Sequence, residues 1–367
     1  EQTTTTTALL QSDLIMPPPI PPEMRTPKIY KHSPPYGAGD WDLSEYMIGN
    51  PTKSPNITVT VILPESTGSG ENWSNSEISA VGSQISQALY WWQSHASPGV
   101  NISFNVDFKG TVPTTYEPIS LNGSTPNTGC SQQQGLWINQ VMLNLDPTLS
   151  SQVCYFDKVR QFNHQQRLLY HTDWAFTIFV VDSYNDADGK FADGTFAYAY
   201  PGGPFVMMTT KNDGYDPGYS ICLTITRLDF QCYFRCKKWK CKFFCGWKVV
   251  GSDTYCTKFQ SISHMNAVTA HEIGHIFYAL DEYAGSPCPY DCATTRTGYL
   301  NILNSNHVDY GPGVNCIMRG EGDNAYGLGA ICTPTRQMIG WRDTDGDGKQ
   351  DITDTFPFVS LNTKGGT

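Results

Sequence analysis

The chain is short of charge and has no membrane-length apolar run. Only 16% of its 367 residues are charged. No stretch of 18 or more apolar residues occurs, so no transmembrane helix is expected. The formal net charge is −10, and the chain as a whole lacks the basic footprint of a nucleic-acid partner. No basic segment followed by an apolar run stands at the start, which implies a cytosolic chain or one whose export signal has been removed. No Cys-x-x-Cys-His haem site and no internal repeat are found. Hydrophobic residues at 39% and aromatics at 13% supply a real core and exclude a wholly disordered chain. The length allows one large domain or two ordinary ones.

What is present points outward. Twelve cysteines, an even number, suit an oxidising compartment. Asn56, Asn72, Asn101 and Asn122 each open an Asn-x-Ser/Thr sequon, so they are candidate glycosylation sites. Together these features predict an extracellular chain, secreted or held at a cell surface.

Residues 1–50 read as an extended leader, with threonines at 3–7 and prolines clustered from Pro17 to Pro22. Such a segment can wrap a domain or a neighbouring subunit, so self-association through the leader is an expectation. A single domain is expected over 51–342. Residues 57–63 alternate as a strand, and 76–92 carry apolar residues at helical spacing. A second strand is expected over 102–108, an irregular stretch over 110–170, and a central strand over 174–181. A bent strand pair is expected over 196–209, around Pro201-Gly202-Gly203-Pro204.

Residues 227–258 differ in kind. Eight lysines and arginines oppose two aspartates there, giving +6 and leaving −16 for the remainder. Cys232, Cys236, Cys241 and Cys245 stand close together among aromatics. Three readings remain open: a disulfide-stapled β-hairpin with solvated lysines, a basic patch for an acidic glycan or protein, and a four-cysteine zinc site. The last has x3 spacings in place of the usual x2 pairs.

The chemistry concentrates in His271-Glu272-Ile273-Gly274-His275. Histidines four apart share one helical face and can bind one Zn²⁺. A glutamate beside them can take a proton from water made acidic by the metal, then return it to a leaving amine.

This motif and its surroundings resemble the metzincin clan of zinc peptidases. The segment from His271 to Tyr283, HEIGHIFYALDEY, is most similar to the immune-inhibitor-A-type secreted peptidases, and the IgA-peptidase-like family has a related ending. The resemblance implies Asp281 as third zinc ligand. It also implies that Cys316-Ile317-Met318-Arg319-Gly320 is the methionine turn, with Met318 beneath the metal. The implied fold is α+β: a twisted mixed sheet with an active-site helix, a C-terminal helix near 333–341 and disulfide-stapled insertions. Two positions depart from the clan pattern. Tyr278 stands where the clan has a glycine, and Gly320 stands where many members have a tyrosine. A helix continued to residue 281 would turn Asp281 about 240° away from His275, so that ligand requires the helix to break near 278–280. Glu282 would share the face but lie about 10 Å further along the axis. Residues 320–327 also resemble the aspzincin motif, which would make Asp323 the ligand and Tyr326 an oxyanion helper. Asp281, Asp323 and Glu282 all stay open as the third ligand.

A second metal loop is expected over 343–367. Asp343, Asp345, Asp347, Lys349 (through its carbonyl), Asp351 and Asp354 occupy EF-hand-like ligand positions around Gly348, which suits a structural Ca²⁺. Cys288 or Cys292 is expected to bridge to Cys316 or Cys332. The leading function is a secreted zinc endopeptidase acting on protein or glycoprotein substrates, with Glu272 as general base. The alternative is a surface-layer or filament glycoprotein that retains the scaffold.

Overall fold

The computed structural model describes residues 57–69, 72–123, 133–200, 202–210, 264–282, 315–319 and 322–352, with backbone alone for 220–237, 240–258 and 322–324. The leader, Asn56, Cys130, Cys288, Cys292 and Asp354 lie outside the described residues.

The chain divides into two units, residues 1–214 with 262–367, and residues 215–261. The first is a mixed α/β unit built on a five-stranded sheet. Its strands are β1 (Ile57–Ser66), β2 (Phe104–Thr114), β3 (Trp174–Val181), β4 (Ala197–Ala199) and β5 (Phe205–Thr209). Their order is β2-β1-β3-β5-β4, with all neighbours parallel except the antiparallel β4–β5 pair. All eight residues of β3 are buried, which is why its sequence is a continuous apolar run and does not alternate.

Helices cover both faces. One core layer lies between the sheet and α1 (Asn75–Ser94), α4 (Met265–Ile276) and the segment ending at Trp341. The other lies between the sheet and α2 (Gln133–Leu145) and α3 (Tyr155–Tyr170). Helix α1 begins in a capping box, where Ser74 and Glu77 satisfy each other's backbone amides. Its apolar stripe, Val81, Ile85, Leu89 and Trp92, is the one the spacing predicts.

Helices α2 and α3 correct the expectation of an irregular stretch over 110–170. Their buried faces are short, Trp137, Ile138, Val141 and Met142 on one and Tyr155, Phe156, Val159 and Phe162 on the other. Pro147 separates them, and the Gln- and Asn-rich remainder of α3 masks its periodicity. The bent strand pair at 196–209 is present as β4–β5. The C-terminal segment is not separate from the first unit over its described part. The Ile352 amide donates to the Gly340 carbonyl at 3.1 Å, and its side chain packs on the core. Helices α5 (Gly322–Gly327) and α6 (Thr333–Met338) complete this region. No helix among the described residues is long and apolar enough to cross a membrane.

The second unit is a long antiparallel hairpin, β6 (Ser220–Lys237) paired with β7 (Lys240–Lys258). It begins earlier than the basic composition indicates.

Candidate metal centre

Helix α4 is buried on nearly every side. The Trp92 indole donates to the Ala270 carbonyl at 2.9 Å and ties the helix to α1. The helix ends at Ile276, and Tyr278 then takes a left-handed conformation with φ 72°. The amides of Tyr278 and Ala279 close the turn on the carbonyls of His275 and Gly274, at 2.8 and 2.9 Å. This is the break that Asp281 requires, made without a glycine.

The reversal brings the Asp281 carboxylate back to the histidines. Its Oδ1 lies 3.1 Å from His271 Nε2 and 3.3 Å from His275 Nε2. A tetrahedral ion with bonds of about 2.0–2.1 Å spaces its ligand atoms about 3.3 Å apart, so the three side chains fit zinc. The other ring nitrogens are occupied: His271 Nδ1 lies 2.8 Å from the Ile317 carbonyl and His275 Nδ1 2.8 Å from the Ala279 carbonyl. With Nδ1 donating, each Nε2 offers its lone pair to the centre.

Electrostatics agree with the geometry. Burial opposes ionisation of Asp281, but the two histidines overcome it and hold its carboxyl far below the usual range. Burial likewise opposes protonation of both histidines, and the Asp281 carboxylate raises them nonetheless. A site that favours positive charge this strongly also favours a cation.

Glu272 is 2% exposed, and its Oε2 is buried with no hydrogen-bond partner among the described residues. Burial pushes its carboxyl up to about 8, with Asp281 adding to the rise and His271 opposing it. An unpartnered buried carboxylate oxygen beside a metal triad is costly unless a ligand meets it.

Met318 is fully buried under α4, and a methyl group added at Gly274 would run into its Sδ. The sequence marks Gly274 only as a poor helix former; its purpose is this close approach. The turn is fixed by the Ile317 amide on the Ala330 carbonyl at 2.9 Å, and the Met318 carbonyl accepts the Glu282 amide at 2.7 Å.

Of the competing ligands, Glu282 is not brought to the triad. Glu282 is 4% exposed and turned to the C-terminal segment, where its Oε1 accepts from Thr335 Oγ1 at 2.6 Å. Burial raises its carboxyl to about 7. Tyr326 stacks on Trp91 with ring centroids 5.6 Å apart, and its hydroxyl bonds to Asn266 at the start of α4. The backbone of Asp323 lies in α5, and its side chain is outside the described residues. The expected staple is also corrected: Cys316 is disulfide-bonded to Cys332, across the methionine turn and the start of α6. Their approach to Glu282 is therefore not a ligand set, because bonded sulfurs are poor metal ligands.

In the acidic loop, Asp343, Asp345 and Asp347 offer carboxylate oxygens within 4.8 Å of one another. Gly346 and Gly348 take left-handed conformations, and their amides donate to the two oxygens of Asp343 at 2.7 and 2.9 Å. Asp345 Oδ2 is buried without a hydrogen-bond partner among the described residues. Asp351 is buried behind the loop. Both of its oxygens accept from Thr344, at 2.9 and 2.7 Å, so it braces the loop. The Lys349 side chain lies 3.5 Å from Asp347. Of the described sequons, Asn72 is exposed, while Asn101 and Asn122 are half-buried.

Neither known protein-family models nor curated proteins give a match to this chain, so geometry and chemistry carry the functional argument.

Proposed function

We propose that the chain is a secreted zinc-dependent endopeptidase of metzincin type, cleaving peptide bonds in proteins or glycoproteins. The observation that carries this reading is the triad of His271, His275 and Asp281 beside a buried, unpartnered Glu272 Oε2. His271, His275 and Asp281 would hold the ion. Zinc, when bound, supplies the Lewis acidity that acidifies water and polarises a peptide carbonyl. The carbonyls of Ile317 and Ala279 hold both imidazoles in one tautomer. Glu272 Oε2 accepts the proton of the attacking water and delivers it to the leaving amine nitrogen. A purely structural zinc site has no need of that carboxylate.

The Asp343, Asp345 and Asp347 oxygens support a structural Ca²⁺ in the C-terminal loop, where hard oxygen ligands suit a hard cation. The test of function is casein cleavage by the zinc-loaded wild type and by Glu272→Ala. Cleavage lost in the variant with zinc content retained supports the peptidase. Two folded, zinc-bound and equally inactive proteins would leave the surface-layer reading in its place.

A further inference from the structure

The distal half of the β6–β7 ribbon has a use that the peptidase reading does not absorb. Its register sets Cys232 opposite Cys245 and Cys236 opposite Cys241, and nearer the base Cys222 opposite Cys256. Directly opposed residues of an antiparallel pair have Cα atoms about 4.5–5.5 Å apart, inside the range a disulfide spans. Closing each pair passes two electrons and two protons to a disulfide oxidant. A two-stranded ribbon is marginal alone, and such rungs supply what it lacks. The register also removes the four-cysteine zinc reading. The two distal pairs are four residues apart along the strand, about 13 Å, too far for one ion.

Alternate residues of a strand share a face. Beyond the irregularity at Arg227/Leu228, one face carries Leu228, Phe230 and Phe234 on β6, and Val249, Trp247 and Phe243 opposite them on β7, along with the two distal cysteine pairs. It has no charged position. The other face carries Arg235, Lys237, Lys240, Lys242 and Lys248 against the single acid Asp229. Lys238 and Trp239 stand between the strands in the sequence.

We propose that this half-ribbon docks on anionic lipid membranes, its apolar face entering the interface and its cationic face meeting the headgroups. The pairing of one wholly apolar face with one basic face is the pattern of an element lying in a membrane interface. A soluble polyanion such as an acidic glycan would use the cations and leave three apolar rungs unexplained. The chain outside residues 227–258 carries −16 and is repelled by an anionic surface, so attachment falls to the one basic element. Headgroup attraction fades within a Debye length of about 8 Å, so it acts on the cations nearest the surface.

The test is co-sedimentation of the full-length protein with phosphatidylcholine vesicles, with or without phosphatidylglycerol. Binding to the anionic vesicles should be at least tenfold tighter and should weaken with salt. Each lysine near such a surface is worth about fivefold, so Lys237→Gln/Lys240→Gln/Lys242→Gln should weaken binding roughly 100-fold. Quenching of tryptophan fluorescence by brominated lipid should fall in Trp247→Phe, which keeps an aromatic side chain at that position. Phe234→Ser/Phe243→Ser should lose vesicle binding. Equal binding to both vesicle types, or none, overturns the proposal. So does quenching unchanged by Trp247→Phe. Binding to heparin that survives Phe234→Ser/Phe243→Ser alongside unimpaired vesicle binding would make the ribbon a glycan patch instead.

Discussion

Replacing Gly274 by alanine adds one methyl group to α4, between His271 and His275, the two histidines proposed to hold zinc. On helix propensity alone alanine is better by about 1 kcal/mol. The structure opposes that gain. The added Cβ would collide with Met318 Sδ and stand 3.2 Å from its Cε, with the Trp92 ring at 3.5 Å on another side. Met318 is fully buried and cannot swing into solvent. Overpacking of this kind costs about 2–3 kcal/mol, so the net loss should be about 1–2 kcal/mol. That corresponds to a fall of roughly 2–4 °C in melting temperature for a unit of this size. In a Met318→Ala background the collision is gone, and Gly274→Ala should stabilise by about 1 kcal/mol. The assay is the double-mutant cycle by thermal unfolding of the four proteins, each with and without zinc. A coupling energy of about 2–3 kcal/mol is expected. If alanine costs the same in both backgrounds, with coupling within about 0.5 kcal/mol of zero, then Met318 does not support the helix at Gly274 and the floor assignment fails.

Asp281→Ala should lose zinc, measured by metal content after dialysis, while Glu282→Gln and Asp323→Ala retain it; zinc kept by Asp281→Ala would move the third ligand elsewhere. Cys316→Ala/Cys332→Ala opens a loop with a sequence separation of 16 and should cost about 3 kcal/mol in denaturant unfolding, unless the methionine turn is held by its backbone bonds alone. Tyr155 is buried and its phenol is pushed up to about 12 from 10, so its stabilising effect is complete below pH 10 and is lost as pH rises through about 12. That shift amounts to about 2–3 kcal/mol, and Tyr155→Phe should flatten the loss of stability over pH 10–12 in chemical denaturation.

The elements with one dominant period were legible in the sequence. Strand β1 alternates and helix α1 has helical spacing, whereas β3 was legible from the shortness of its apolar run and the β4–β5 pair from the Pro-Gly-Gly-Pro turn between its strands. Helices α2 and α3 were not, because each buries about one turn's width of apolar residues within a polar sequence. At the centre, His271, Glu272 and His275 were legible from spacing, since four residues on a helix fix a common face. Asp281 was legible only through resemblance, because its position depends on where the helix stops. The Cys316–Cys332 bridge could not be read at all: pairing depends on where α6 meets the methionine turn, which no local pattern encodes.

The helix stop itself shows how a residue with an unfavourable backbone preference is accommodated. A left-handed conformation at a bulky residue costs about 1–2 kcal/mol, which glycine at 278 would avoid. Tyr278 adopts it with φ 72°, and its ring lies against Gly202, where any side chain would strike it. Gly202 is itself left-handed, with φ 82°, and its amide donates to the His275 carbonyl at 3.1 Å. The need for a glycine has thus moved from the helix end to the strand loop that packs on it. The Pro204 carbonyl in that loop accepts from the Thr177 amide and from Asn163 Nδ2, at 3.1 and 2.8 Å, so the loop is anchored to β3 and α3. His275 is then held at three points: its carbonyl by Gly202 and by the Tyr278 amide, and its ring by the Ala279 carbonyl. The turn that returns Asp281 to the histidines is therefore set by contacts with the sheet, which is why a residue with the wrong backbone preference can occupy it.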